Sequence, residues 1–116
     1  MSTLVELGAG LDFARWALAG LDDEERAEVE ATWRARAACR GANPETFFPL
    51  GDGEQLPSRA YAEARVICGG CDVRELCLAV HLHEGFGCYG ASTPRERLIL
   101  RRQRGERSRA RRRASA

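Results

Sequence analysis

The sequence predicts a mostly α fold: a small helical domain organised around four cysteines, with a basic C-terminal tail. Three observations carry this. Apolar residues recur at helical spacing behind capping patterns, and no alternating strand pattern stands out. Four of the five cysteines, Cys39, Cys68, Cys71 and Cys77, sit in or beside those helices at ligand-like spacing. The charge is split: residues 1–94 hold 8 Arg against 15 Asp plus Glu (net −7), and residues 95–116 hold 10 Arg against Glu96 and Glu106 (net +8).

Leu11, Ala14, Leu18 and Leu21 predict a short amphipathic helix. Asp22 and Glu25 then form a capping-box pattern, and Ala27, Val29, Ala31, Trp33 and Ala37 predict a helix to about Cys39, stopping before Gly41. Six prolines and glycines between Arg40 and Pro57 predict a loop, which carries the adjacent aromatics Phe47 and Phe48. Ser58 is a candidate cap for a helix to about Cys68, broken by Gly69 and Gly70. Asp72, with Glu75 three residues on, starts a helix expected to end near Gly85. Its apolar residues go nearly all round, which predicts burial. After a glycine-punctuated turn, Gly85 to Gly90, the run Thr93, Pro94 and Glu96 gives cap, first-turn proline and closing acid for a final helix. Beyond about Arg107 the arginine density predicts disorder. The organisation expected is a helical extension over 1–32, a cysteine domain over 33–92, and a basic helix with its tail over 93–116.

At 116 residues the chain is a single domain with appendages. No stretch approaches the roughly 20 apolar residues that span a bilayer. Met1 to Gly10 lacks a basic leader and carries Glu6, so no secretory signal is expected and the protein is placed in the cytoplasm. Thiols there stay reduced, so five cysteines in so short a chain point to metal or redox chemistry, not a disulfide framework. All 18 basic residues are Arg, a bias that a GC-rich genome also produces.

The cysteine spacing is Cys39-x28-Cys68-x2-Cys71-x5-Cys77. In the predicted helices, Cys68 ends one, Cys71 precedes the next and Cys77 lies about a turn and a half inside it. Three thiolates can then gather at the positive end of the Asp72 helix, where negative charge is favoured. Gly69 and Gly70 leave room for backbone N–H groups to approach the sulfurs. The segment 33–91 is small enough to need a staple. An iron–sulfur cluster, a structural zinc, and a dithiol–disulfide pair of Cys68 and Cys71 are all compatible with these residues.

The runs Trp33-Arg34-x2-Ala37-Ala38-Cys39-Arg40, Pro44-x2-Phe47-Phe48-Pro49 and Cys68-x2-Cys71-x-Val73-Arg74-x2-Cys77-Leu78 resemble the WhiB-like family of actinobacteria and their phages. The resemblance continues through Thr93-x2-Glu96-Arg97 and covers about residues 33–104. It implies a [4Fe–4S] cluster held by Cys39, Cys68, Cys71 and Cys77 and sensitive to oxygen and nitric oxide. It also implies a role in transcription through contact with DNA, with the principal sigma factor, or with both. Where the family has Gly-Val/Ile-Trp-Gly-Gly, this chain reads Gly87-Cys88-Tyr89-Gly90-Ala91. Phe47, Phe48 and Tyr89 are the candidate sigma-factor contacts.

Cys88 is taken as a small apolar residue at a family Val/Ile position, with a fifth ligand or resolving thiol as the alternative. His81, four residues after Cys77, is read as a partly buried neighbour of the ligands and His83 as a surface residue. The candidate DNA contacts are Arg101, Arg102, Arg104, Arg107, Arg109, Arg111, Arg112 and Arg113, since dense positive charge favours nucleic acid. No positioned base or small-molecule substrate cleft is legible, so a non-enzymatic protein is expected. The rival from another class is a protein-disulfide reductase using Cys68 and Cys71, and a structural-zinc DNA-binding protein is a further alternative.

Overall fold

The computed structural model describes residues 3–115, apart from the side chains of Thr3, Val5, Phe13, Trp16, Ala17, Arg107 and Ser108. Its helices are α1 (Thr3–Ala19), α2 (Asp23–Ala35), α3 (Pro44–Phe47), α4 (Ala62–Gly69), α5 (Arg74–Val80) and α6 (Pro94–Ser115), with one 3₁₀ turn at Ser58–Tyr61. The described residues contain no strand; a single bridge joins Tyr89 and Ser92. No described helix is long and apolar enough to cross a membrane.

The N-terminal helix starts well before Leu11. Gly8 and Gly10 each weaken an isolated helix by about 1 kcal/mol, which favours a later start. Packing overrides that cost: Leu7 and Leu11 of α1 share a core with Leu78 of α5, Leu82, and Leu100 of α6, with Leu4 against its edge. Half of the expected extension is therefore built into the body.

The Asp22 box forms as read: Glu25 N–H donates to Asp22 Oδ1 at 2.8 Å and Asp22 N–H to Glu25 Oε1 at 3.4 Å. The helix ends at Ala35, four residues short of Cys39, because Arg40 Nη1 swings back to cap the Ala35 carbonyl at 3.0 Å. The expected loop contains a turn of helix, α3, capped by Asn43, whose side chain accepts Glu45 N–H at 3.0 Å. That turn drives Phe47 inward and leaves Phe48 at the surface (7% and 45% exposed). Phe47 packs with Tyr61, Ala64, Cys68 and Cys88 in a second core.

Two expected caps do not form. Ser58 lies inside the 3₁₀ turn, which has no side-chain cap. Asp72 pairs with Arg36 at 3.5 Å, so Val73 takes the cap position of α5 without a side-chain bond. At its other end α5 stops at Val80 instead of near Gly85. Arginines of α6 take the following carbonyls, Arg101 Nη1 that of Leu82 at 2.8 Å and Arg97 Nε that of Glu84 at 3.1 Å. The Thr93 box forms, with Thr93 N–H to Glu96 Oε1 at 3.0 Å and Glu96 N–H to Thr93 Oγ1 at 3.2 Å. Glu96 also pairs with Arg65 of α4 at 2.7 Å. Beyond Arg107 the chain continues as helix to Ser115: arginine and alanine are strong helix formers, and no glycine or proline follows Gly105.

Candidate metal centre

The four predicted ligands come together around one cavity of about 400 Å³. Cys39 reaches it from the exposed turn after α2, Cys68 from the end of α4, Cys71 from the short link, and Cys77 from the first turn of α5. As placed, no three His, Cys, Asp or Glu side chains among the described residues could hold a single metal ion. Cys39 and Cys77 are nevertheless close enough to the other thiols for mutual charge repulsion.

That repulsion is secondary to desolvation. Burial pushes the Cys77 thiol up to about 12, against a Gly90 N–H that favours its thiolate. Burial also raises Cys39, with the Cys68 charge adding to it. Cys68 goes the other way, to about 7, because the Cys88 thiol hydrogen-bonds to it, helped by the N–H groups of Ala91 and Gly90. Cys88 is correspondingly raised by that bond and by burial. Thiols held protonated by burial and crowding take up a cation by releasing those protons.

The backbone donors come from an unexpected place. Gly70 and Cys71 N–H groups go to the Ile67 and Cys68 carbonyls at 3.2 and 3.0 Å, so the Gly69–Gly70 pair does not face the sulfurs as anticipated. The donors are Gly90 and Ala91, together with Ala38 N–H, which reaches Cys71 Sγ at 3.5 Å. Gly90 and Ala91 form a tight turn closed by Tyr89 N–H to Ser92 O at 3.1 Å and Ser92 N–H to Tyr89 O at 2.9 Å. Both central residues have positive φ, 57° and 63°, as a type I′ turn requires. A side chain at position 90 would lie 2.4 Å from the Arg74 carbonyl, so glycine is obligatory there.

Ala91 has no such relief. Its left-handed φ costs about 1–2 kcal/mol for a residue with a Cβ, against about 0.5–1 kcal/mol of extra backbone entropy lost by glycine. Ala91→Gly is expected to raise stability by up to about 1 kcal/mol, read as a higher urea midpoint at constant slope; a lower midpoint would contradict the strain.

An aromatic wall closes the cavity. His81 stacks on Tyr89 with centroids 4.0 Å apart, Trp33 meets His81 edge-on at 6.1 Å, and Phe48 meets Tyr89 edge-on at 5.9 Å. Burial lowers the pKa of His81, which favours neutral imidazole; its Nδ1 lies 2.9 Å from the Cys77 carbonyl, which assigns the proton to Nδ1. Trp33 Nε1 is buried without a hydrogen-bond partner, on a ring that lines the cavity. His83 is exposed, as expected.

Two residues that sequence reasoning passed over organise this wall. Arg97, fully buried, donates to the carbonyls of Glu84, Ser92, Phe86 and Gly87 and to Ser92 Oγ, at 2.6–3.1 Å, and lies 5.2 Å over the Tyr89 ring. Asp52 accepts Gly87 N–H at 3.0 and 2.9 Å and the Tyr61 hydroxyl. Burial, with that bond to Asp52, pushes Tyr61 up to about 12. The only available signals were Arg97 within the Thr93 motif and Asp52 flanked by two glycines. Asp52→Ala is expected to cost about 1–3 kcal/mol by orphaning Gly87 N–H and the Tyr61 hydroxyl, measured by urea unfolding; an unchanged midpoint would show that neither bond matters.

The arginines divide. Arg101 is bound to Leu82 O and paired with Glu54 at 3.6 Å, and Arg104 is paired with Asp12 of α1. These two clamp the body, which removes them from the set free to meet a polyanion. Arg102, Arg109, Arg111, Arg112 and Arg113 are exposed, while the side chain of Arg107 lies outside the described residues.

A sequence model of the family described as "Transcription factor WhiB" matches residues 33–100, more than half of the chain. Transcriptional regulator WhiB1 of Bifidobacterium longum is 39% identical over 82 residues, covering 67% of this chain and 88% of the relative. Transcriptional regulator WhiB2 of Mycobacterium tuberculosis is 42% identical over 83 residues, covering 68% and 86%. Transcriptional regulator WhiB1 of Mycobacterium tuberculosis is 37% identical over 81 residues, covering 68% and 94%.

Proposed function

The chain belongs to the WhiB family of transcription factors, and on that premise we propose that it regulates transcription through a [4Fe–4S] cluster held by Cys39, Cys68, Cys71 and Cys77. The observation that carries the reading is the one cavity that these four thiols line together, with Cys88 beside them. A tetrahedral zinc site needs sulfurs about 3.8 Å apart, from bonds of about 2.3 Å. The cavity of about 400 Å³ has room for more than a single ion, which favours a larger group. The N–H groups of Gly90, Ala91 and Ala38 and the unpartnered Trp33 Nε1 are the donors that an anionic, sulfur-rich group requires. When bound, the cluster supplies reactivity toward oxygen and nitric oxide.

Because the thiols line the same cavity as Tyr89 and Phe48, loss of the cluster would change that surface. Phe48 and Tyr89, backed by buried Phe47, form the proposed contact for the principal sigma factor, and the exposed arginines of α6 the contact for DNA. A disulfide reductase needs an exposed attacking cysteine; Cys68 is buried and Cys71 half-buried, which favours the non-enzymatic reading.

The test is run-off transcription with polymerase and the principal sigma factor, adding the full chain purified without oxygen. The expected result is a change in transcript yield that Cys77→Ser and Phe48→Ala each remove. Unchanged yield with the intact chain would overturn the proposal.

A further inference from the structure

The fifth cysteine is not absorbed by the ligand set. Cys88 is 3% exposed and Cys68 8% exposed, and they pack in one core with Phe47, Tyr61 and Ala64. Both also line the cavity around which the predicted ligands gather. Cys88 is held in place by its N–H to the Phe47 carbonyl at 3.0 Å, and Gly87 beside it by Asp52. Cys71, although only three residues from Cys68, has its sulfur turned to Ala38 N–H at 3.5 Å. The neighbour in sequence and the neighbour in space therefore differ. The C-x-x-C spacing alone favours a Cys68–Cys71 pair.

We propose that Cys88 is the resolving thiol for Cys68, so that a peroxide oxidises this pair to a disulfide in preference to Cys68 and Cys71. The Cys68 sulfur attacks one oxygen of hydrogen peroxide; the O–O bond breaks, giving a sulfenic acid and one water. The Cys88 sulfur attacks the sulfenic sulfur; the S–S bond forms, the S–O bond breaks, and the hydroxyl leaves with the Cys88 proton as a second water. Two thiols are oxidised by two electrons and the peroxide is reduced. The product ties the end of α4 to the turn carrying Tyr89, and it withdraws one of the four proposed ligands. The inference concerns the free thiols and does not depend on which group they hold.

The experiment treats the full chain, purified without oxygen, with excess hydrogen peroxide and a chelator. Remaining thiols are alkylated, and the disulfides are mapped by trypsin and tandem mass spectrometry. Tryptic peptide 66–74 carries Cys68 and Cys71, and peptide 75–95 carries Cys77 and Cys88. The expected main product is a cross-link between these peptides with fragment ions assigning Cys68 to Cys88. It should persist in Cys71→Ser and disappear in Cys88→Val, where Cys68 falls back on Cys71. A main product pairing Cys68 with Cys71 or Cys77 in the unaltered chain, or no disulfide at Cys68, overturns the proposal. Iron measured before peroxide reports separately on the cluster.

Discussion

Replacing Arg97 with alanine is expected to destabilise the protein by about 3–5 kcal/mol, enough to unfold a small domain of ordinary stability. The guanidinium is fully buried and gives hydrogen bonds to four carbonyls and one hydroxyl of the segment 84–92. No carboxylate pairs with it among the described residues; its charge is met by these dipoles and by the Tyr89 ring 5.2 Å away. Removing it takes the donor from the Glu84, Phe86 and Gly87 carbonyls, leaves Ser92 O with Tyr89 N–H alone, and frees the turn that supplies N–H groups to Cys68 and Cys77. Arg97→Lys should recover little, because one ammonium cannot reach carbonyls spread around a planar five-donor fork. Urea unfolding followed by far-ultraviolet circular dichroism measures the loss. A midpoint unchanged in Arg97→Ala would show that the buried fork is not what holds the turn.

The second large effect is on polyanion binding. Truncation after Gly105 removes Arg107, Arg109, Arg111, Arg112 and Arg113 and leaves 13 Arg against 16 Asp plus Glu, a net of −3. It keeps the Arg101 and Arg104 clamps, which a cut after Leu100 would destroy together with their contacts to Glu54 and Asp12. If the five removed arginines each neutralise one phosphate, the affinity of the full chain should fall about 500-fold between 50 and 200 mM salt. The truncated chain should lose nearly all binding while its urea midpoint stays put. Fluorescence anisotropy with a short duplex at several salt concentrations reads both. Full-strength binding by the truncated chain would reduce the arginines to a solvated helix end.

Local patterns were legible where local forces decide. The Asp22 and Thr93 boxes form because each cap and its acid meet within one turn, and Arg65 takes the second carboxylate oxygen of Glu96 while the first stays on Thr93 N–H. The Asp72 box carries the same pattern and fails, because Arg36, distant in sequence, claims the carboxylate. The start of α1 was hidden by two glycines that Leu7 and Leu11 outweigh only once α5 and α6 are in place. The end of α5 was hidden for a related reason: after Val80 the chain tightens into a turn, with Glu84 N–H to His81 O at 3.0 Å, and Arg97 and Arg101 of α6 hold the carbonyls of Glu84 and Leu82 in that turn. The convergence of the four cysteines on one cavity was legible from spacing; the identity of their N–H donors was not. That depends on a type I′ turn whose second residue, Ala91, does not advertise a positive φ. Sequence also could not divide the arginines, since a buried organiser, two clamps and an exposed arm share one residue type on one helix.

What the four thiols hold decides between a cluster and a single ion. Iron and acid-labile sulfide, counted per chain after anaerobic purification, test this most directly. The protein is expected to carry about four of each, lost in Cys39→Ser, Cys68→Ser, Cys71→Ser and Cys77→Ser and retained in Cys88→Ser. One zinc and no sulfide per chain would contradict it.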